Sequence, residues 1–215
     1  MIAFIDTEVN PRTKKVADYG AVREDGAVLH SSSKADFDAF VSKCDTVCGH
    51  NIINFDLKYT SLRGNPTIVD TLFLSPLLFP KRPYHHLVKD DKLHVDELNN
   101  TVNDSMKARD LLNDEMAAWN QLTDNRKEIY YYLLNETQEF GGFFKYIGYS
   151  PNVNWISSLF SSQPDWKQLI LKEYEGKVCS HADFETLVKQ YPIELAYCLA
   201  VIGADDIFSI TPAWV

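Results

Sequence analysis

The chain opens with Ile2-Ala-Phe-Ile-Asp-Thr-Glu-Val9, an apolar run that turns acidic at alternate positions, and this pattern predicts a strand over residues 2 to 8. Period-two patterning returns at about 15 to 23 and 27 to 32, and Glu24-Asp-Gly26 between these stretches has the composition of a tight hairpin turn. Helical spacing predicts a helix at about 34 to 43 and another from about 53 to 63, with short strands at 46 to 49 and 67 to 71. A polar cap followed by an amphipathic pattern predicts a long helix at about 103 to 121. Residues 76 to 98, with Pro76, Pro80, Pro83 and the pair His85 and His86, read as a long irregular loop or short helix, a lid or substrate edge.

From about residue 123 the pattern becomes helical and rich in aromatic residues: Ile129 to Leu134, Phe140 to Phe144 and Trp155 to Phe160, then further short helices at 164 to 174, 182 to 190 and 192 to 202. Such aromatic runs either stack bases of single-stranded nucleic acid or, more commonly, form packing surface. The expected organisation is an α/β domain over residues 1–122, a mixed sheet flanked by helices, followed by a small helical extension over residues 123–215.

Charge placement adds candidate chemistry. Side chains one residue apart on a strand share a face, so Asp6 and Glu8 point the same way and together suit a hard cation. Asp56 follows in Val47-Cys-Gly-His-Asn-Ile-Ile-Asn-Phe-Asp-Leu57, and Asp104 stands in the first turn of the long helix. Each alone has an ordinary reading, as a polar strand end, a cap or a helix-dipole partner. Four acidic side chains from three separated elements point to a shared role.

Together these segments resemble the DnaQ-like, or DEDD, exonuclease family. Its first motif is Asp-x-Glu on a first strand, matched by Asp6 and Glu8; its second is a Gly-His-Asn-x-x-x-Phe-Asp-like stretch ending here at Asp56; its third is matched at Asp104. The likeness covers roughly residues 1 to 115 and includes Ile68-Val-Asp-Thr-Leu72. It implies an RNase H-like fold and a metal-dependent exonuclease that removes nucleotides in the 3′-to-5′ direction from single-stranded or frayed DNA.

The resemblance assigns Asp6, Glu8, Asp56 and Asp104 as ligands of two Mg²⁺ or Mn²⁺ ions. Such ions acidify the attacking water and stabilise the leaving 3′ oxygen, and oxygen-only donors select them over zinc. Thr7, His50, Asn51 and Phe55 are implied as substrate-binding residues, with a structural hydrogen-bonding role the competing reading for His50. The third motif departs from the family. Asn99 occupies the place of the general-base His, Asn100 that of the alternative Tyr, and an amide takes no proton from water. Asp110 is a weaker alternative for the fourth ligand, and His94, His85 and His86 are nearby imidazoles without a motif of their own.

Composition is that of an ordinary globular chain: 215 residues, 45% hydrophobic and 24% charged, with no secretory leader and no membrane span, which predicts a cytoplasmic protein. Cys44, Cys48, Cys179 and Cys198 read as free buried thiols rather than a zinc site. A net charge of -9 argues against gripping long duplex DNA through phosphate neutralisation alone, although basic residues scattered from Lys14 to Arg109 could line an approach for a 3′ end. The terminal stretch Asp206-Ile-Phe-Ser-Ile-Thr-Pro-Ala-Trp-Val215 resembles a phrase in the exonuclease-bearing N-terminal region of large bacterial RecQ-like helicases, which implies a motor module beyond Val215. Two functions of different class remain: the exonuclease, favoured by the four carboxylates, and a weak or inactive accessory module that binds nucleic-acid ends or proteins, favoured by Asn99.

Overall fold

The computed structural model describes residues 1–87, 101–151 and 166–204. The chain divides into two compact units, one of Met1–Leu74 with His85–Met116, the other of Ser75–Tyr84 with Ala117–Val215.

The first unit is built on a five-stranded mixed sheet in the order β3-β2-β1-β4-β5, formed by β1 (Ile2–Val9), β2 (Val16–Arg23), β3 (Val28–Ser31), β4 (Thr46–Gly49) and β5 (Thr67–Asp70). β1 to β3 form an antiparallel meander, while β4 and β5 run parallel to β1. The predicted turn at Glu24 to Gly26 joins β2 to β3: Arg23 and Ala27 are hydrogen bonded across it, and Gly26 has φ 84°, a left-handed conformation that favours glycine.

One face of the sheet buries Ala3, Ile5, Tyr19, Ala21 and Val47 against Phe37 and Val41 of α1 (Lys34–Val41). Ser33 caps α1 by accepting the amide of Asp36. On the other face β1 presents buried Ile2 and Phe4 and then the half-buried Asp6 and Glu8. That face receives the start of α3 (Thr101–Gln121). Gly20 allows the approach, because a Cβ there would stand 2.2 Å from the carbonyl carbon of Thr101 and 2.5 Å from the amide nitrogen of Val102.

The strands and the long helix lie close to the predicted bounds, but the helix expected from about 53 to 63 is absent. In its place is a series of turns with a single 3₁₀ turn at Asp56–Lys58. The reason lies in the carboxylate of Asp70, which takes the amides of Asn51 and Ile53, while Asn51 adopts a left-handed φ of 67°. The segment therefore turns sharply at its start and carries Ile52 into the core. The predicted irregular stretch from 76 also begins differently: α2 (Thr71–Leu78) continues through Pro76, and its residues Leu74 and Leu77 are buried. Apolar packing outweighs the missing proline amide there.

The second unit is helical, with α4 (Asp124–Leu134), α5 (Gly141–Ile147), α6 (Trp166–Glu173), α7 (Phe184–Gln190) and α8 (Pro192–Ile202) described. Its aromatics are mostly packing surface: Tyr130, Phe140, Phe143 and Phe144 are buried, and Trp119 meets Phe143, Phe144 and Tyr149 edge-on at 5.2 to 5.6 Å. The predicted helix at Trp155 to Phe160 and the terminal stretch 206–215 lie outside the described residues. Cys44 and Cys48 are buried free thiols as expected, whereas Cys179 and Cys198 are exposed, which corrects the reading of all four as buried. No helix among the described residues is long and apolar enough to cross a membrane.

Candidate functional site

Asp6 and Glu8 sit at the carboxyl end of β1, where β4 has already ended its pairing at Cys48. Their cross-strand partners on β2 are Gly20 and Asp18, and His30 on β3 lies opposite Gly20. Directly paired residues share a face, so Asp6, Glu8, Asp18 and His30 all belong to the face on which α3 begins. Asp18 ties that arrangement together. Its Oδ2 accepts the Thr101 hydroxyl at 2.7 Å and lies 2.8 Å from His30 Nε2. Thr101 opens the helix whose first turn carries Asp104, a side chain 27% exposed with Lys107 Nζ 3.8 Å away.

Asp56 occupies a different environment. Thr7, between Asp6 and Glu8, projects to the opposite face, and its hydroxyl donates to Asp56 Oδ1 at 2.7 Å. The Asp56 carboxyl is 1% exposed, and burial pushes its pKa up to about 7. The hydroxyl and amide of Thr7 oppose that rise, and the charge of Asp70 adds to it. At neutral pH, then, Asp56 is held near the midpoint of its titration.

The loop that delivers Asp56 is organised by Asp70. Oδ1 accepts the amides of Asn51 and Leu72 at 2.8 and 3.0 Å, and Oδ2 that of Ile53 at 3.0 Å. Burial raises the Asp70 pKa, opposed by these three amides. His50 is fixed by Thr71, with 2.9 Å between Nδ1 and Oγ1, and burial lowers its pKa to about 4, helped by the nearby charges of His86 and His85. His50 is therefore held neutral, with Nδ1 hydrogen bonded and Nε2 buried without a hydrogen-bond partner among the described residues. Phe55 is 37% exposed and lies 5.4 Å from the ring of Tyr59, leaving an aromatic face open beside Asp56.

The predicted residues are thus brought together only in part. Asp6 and Glu8 share a face with the start of the helix that carries Asp104, while Asp56 is held through Thr7 on the other side of β1. Asn99, Asn100 and His94 lie outside the described residues. Among the described residues no group of three or more His, Cys, Asp or Glu side chains is placed to hold a metal ion. The donor chemistry suits Mg²⁺ or Mn²⁺, because Asp6 and Glu8 present hard oxygens side by side.

Asp18 and His30 went unnoticed in the sequence. The signal available was an acidic residue two before a glycine on β2, and a histidine on a short edge strand. Neither carries meaning until the register sets Asp18 beside Glu8 and His30 across Gly20 from Asp6. No family model, curated protein or solved structure matches the chain.

Proposed function

We propose that this chain is a DEDD-type, RNase H-like domain that hydrolyses phosphodiester bonds from a 3′ end with Mg²⁺ or Mn²⁺, acting on single-stranded or frayed DNA. The observation that carries the reading is the placement of Asp6 and Glu8 side by side on the face where α3 begins, with Asp56 bound to the Thr7 between them. The sheet order β3-β2-β1-β4-β5 is consistent with the RNase H-like assignment.

When bound, a divalent ion supplies a more acidic water and positive charge for the leaving oxygen. The chain's own residues do the rest. Asp6 and Glu8 would hold the ion from the face they share, and Asp104, in the first turn of α3, is the further carboxylate that the resemblance assigns to it. Asp56, whose pKa burial raises to about 7, would have to release its proton to serve as a further oxygen donor. The exposed face of Phe55 offers a stacking surface for the terminal base, and the loop held by Asp70 positions Asn51 beside it.

A second reading has its own support. Asn99 stands where the resemblance places the family's base, which suits a weak or inactive module that binds nucleic-acid ends or proteins. A 5′-labelled oligonucleotide incubated with Mg²⁺ or Mn²⁺ separates the two. Stepwise shortening from the 3′ end, abolished by Asp6→Ala, supports the enzyme; intact binding without shortening supports the accessory module.

A further inference from the structure

The second unit contains a cavity of about 360 Å³, a size within the range of small-molecule sites. It lies between the end of α2 with the turn that follows, α4 and the end of α8, and its apolar lining includes Leu77, Leu122 and Ala200. Tyr130 is buried in its wall, with its hydroxyl 3.3 Å from that of Tyr174.

Three cations border this apolar space: Lys81, Arg82 and Arg126. Arg126 is the most telling. Its Nε donates to Glu173 at 2.8 Å, its guanidinium carbon lies 5.6 Å from the centre of the Tyr174 ring, and the side chain is 25% exposed. Among the described residues no acceptor meets its two terminal nitrogens. Gly203 makes room for this head group, since a Cβ there would stand 3.2 Å from Arg126 Cζ and 3.0 Å from Tyr174. Arg82 has its guanidinium 3.9 Å over the Phe79 ring, and neither it nor Lys81 has a carboxylate partner among the described residues. Among the described residues Glu173 meets one edge of one guanidinium, and Lys81, Arg82 and Arg126 leave the described border of the pocket with an excess of cations.

We infer that this cavity binds a small organic anion, a phosphate or carboxylate head on a compact apolar body. The fork of Arg126 and the charges of Arg82 and Lys81 take the head, and the leucine and alanine wall takes the body. A planar guanidinium with two terminal nitrogens available matches a carboxylate or phosphate edge, and partial burial strengthens that bond relative to water. The free edge of the Arg126 guanidinium is solvent-accessible, so an anion gains a charge-assisted, forked contact there in exchange for water. This inference is independent of the nuclease reading.

The test uses the aromatic anion anilinonaphthalene sulfonate as a fluorescent probe on the full chain, with phenyl phosphate, inorganic phosphate and benzyl alcohol as competitors. The expected result is saturable single-site binding, displaced by phenyl phosphate, less well by inorganic phosphate and not by benzyl alcohol. Arg126→Gln should weaken the probe by roughly tenfold or more, as loss of a charge-assisted hydrogen bond implies. Arg82→Gln should weaken it less, since that head group is exposed. Arg126→Gln also breaks the contact with Glu173, so Ala200→Leu serves as the second variant: it fills the cavity, leaves every cation in place and should abolish saturable binding. The inference is overturned by absence of saturable binding, by equal affinity in wild type and Ala200→Leu, or by displacement with benzyl alcohol as effective as with phenyl phosphate.

Discussion

Replacing Asp56 by Asn isolates the proton that folding places on this carboxyl. In the unfolded chain the group ionises near the ordinary carboxylate value of 3.8, whereas burial raises the folded value to about 7. Between those pH values the folded protein holds a proton that the unfolded chain has released, so stability falls as pH rises through the window. Below about pH 4 both states are protonated and nothing is lost. At about 1.4 kcal/mol per pH unit, a separation of about three units amounts to ~4 kcal/mol by pH 8. Asn keeps a carbonyl for the Thr7 hydroxyl and never ionises. The stability difference between Asp56→Asn and wild type should therefore shift by ~4 kcal/mol in favour of the variant between about pH 4 and pH 8. Urea unfolding followed by circular dichroism at several pH values measures it, with Mg²⁺ absent. Parallel curves for the two proteins would refute the claim that Asp56 is buried and protonated against Thr7. Repeating the series with Mg²⁺ should narrow the gap near pH 8, because an ion that also binds the ionised Asp56 carboxylate stabilises wild type more than the variant.

Gly20→Ala should destabilise the chain by ~2 kcal/mol or more, because the added Cβ meets the backbone of Thr101 and Val102 rather than a flexible side chain; thermal melting checks this, and an unchanged midpoint would remove the close packing of α3 on β2. Asp70→Asn should cost ~2–4 kcal/mol in chemical denaturation, since one of the oxygens that receive the amides of Asn51, Ile53 and Leu72 becomes a donor facing a donor. A variant as stable as wild type would show that this carboxylate does not organise the loop. Asn99→His should accelerate 3′-end shortening by roughly 10²-fold or more if the missing imidazole limits proton transfer; an unchanged rate in a timed oligonucleotide assay would count against that placement of the third motif.

Local patterning made much of the first unit legible. Alternation along Ile2 to Val9 is enough to put Asp6 and Glu8 on one face, because the pleat has period two whatever the sheet becomes. The Asp25-Gly26 pair signals its hairpin for a similarly local reason, the left-handed φ that such a turn requires. The helix expected near 53 to 63 was misread because the chain entering it is bent at Asn51, whose left-handed φ is held by its amide's bond to Asp70, 19 residues downstream, and no local propensity registers that distant tie.

What the sequence alone determined is therefore periodic: the strands, most of the helices and the shared face of two carboxylates. Tertiary structure decided what each group meets. It bound Asp56 to Thr7 across 49 residues of chain, set Asp18 beside Glu8 and His30 across Gly20 from Asp6, and gathered Arg82 and Arg126 around one cavity. Those outcomes depend on strand register and on burial among distant segments, and burial is also what moves the Asp56 proton toward neutral pH.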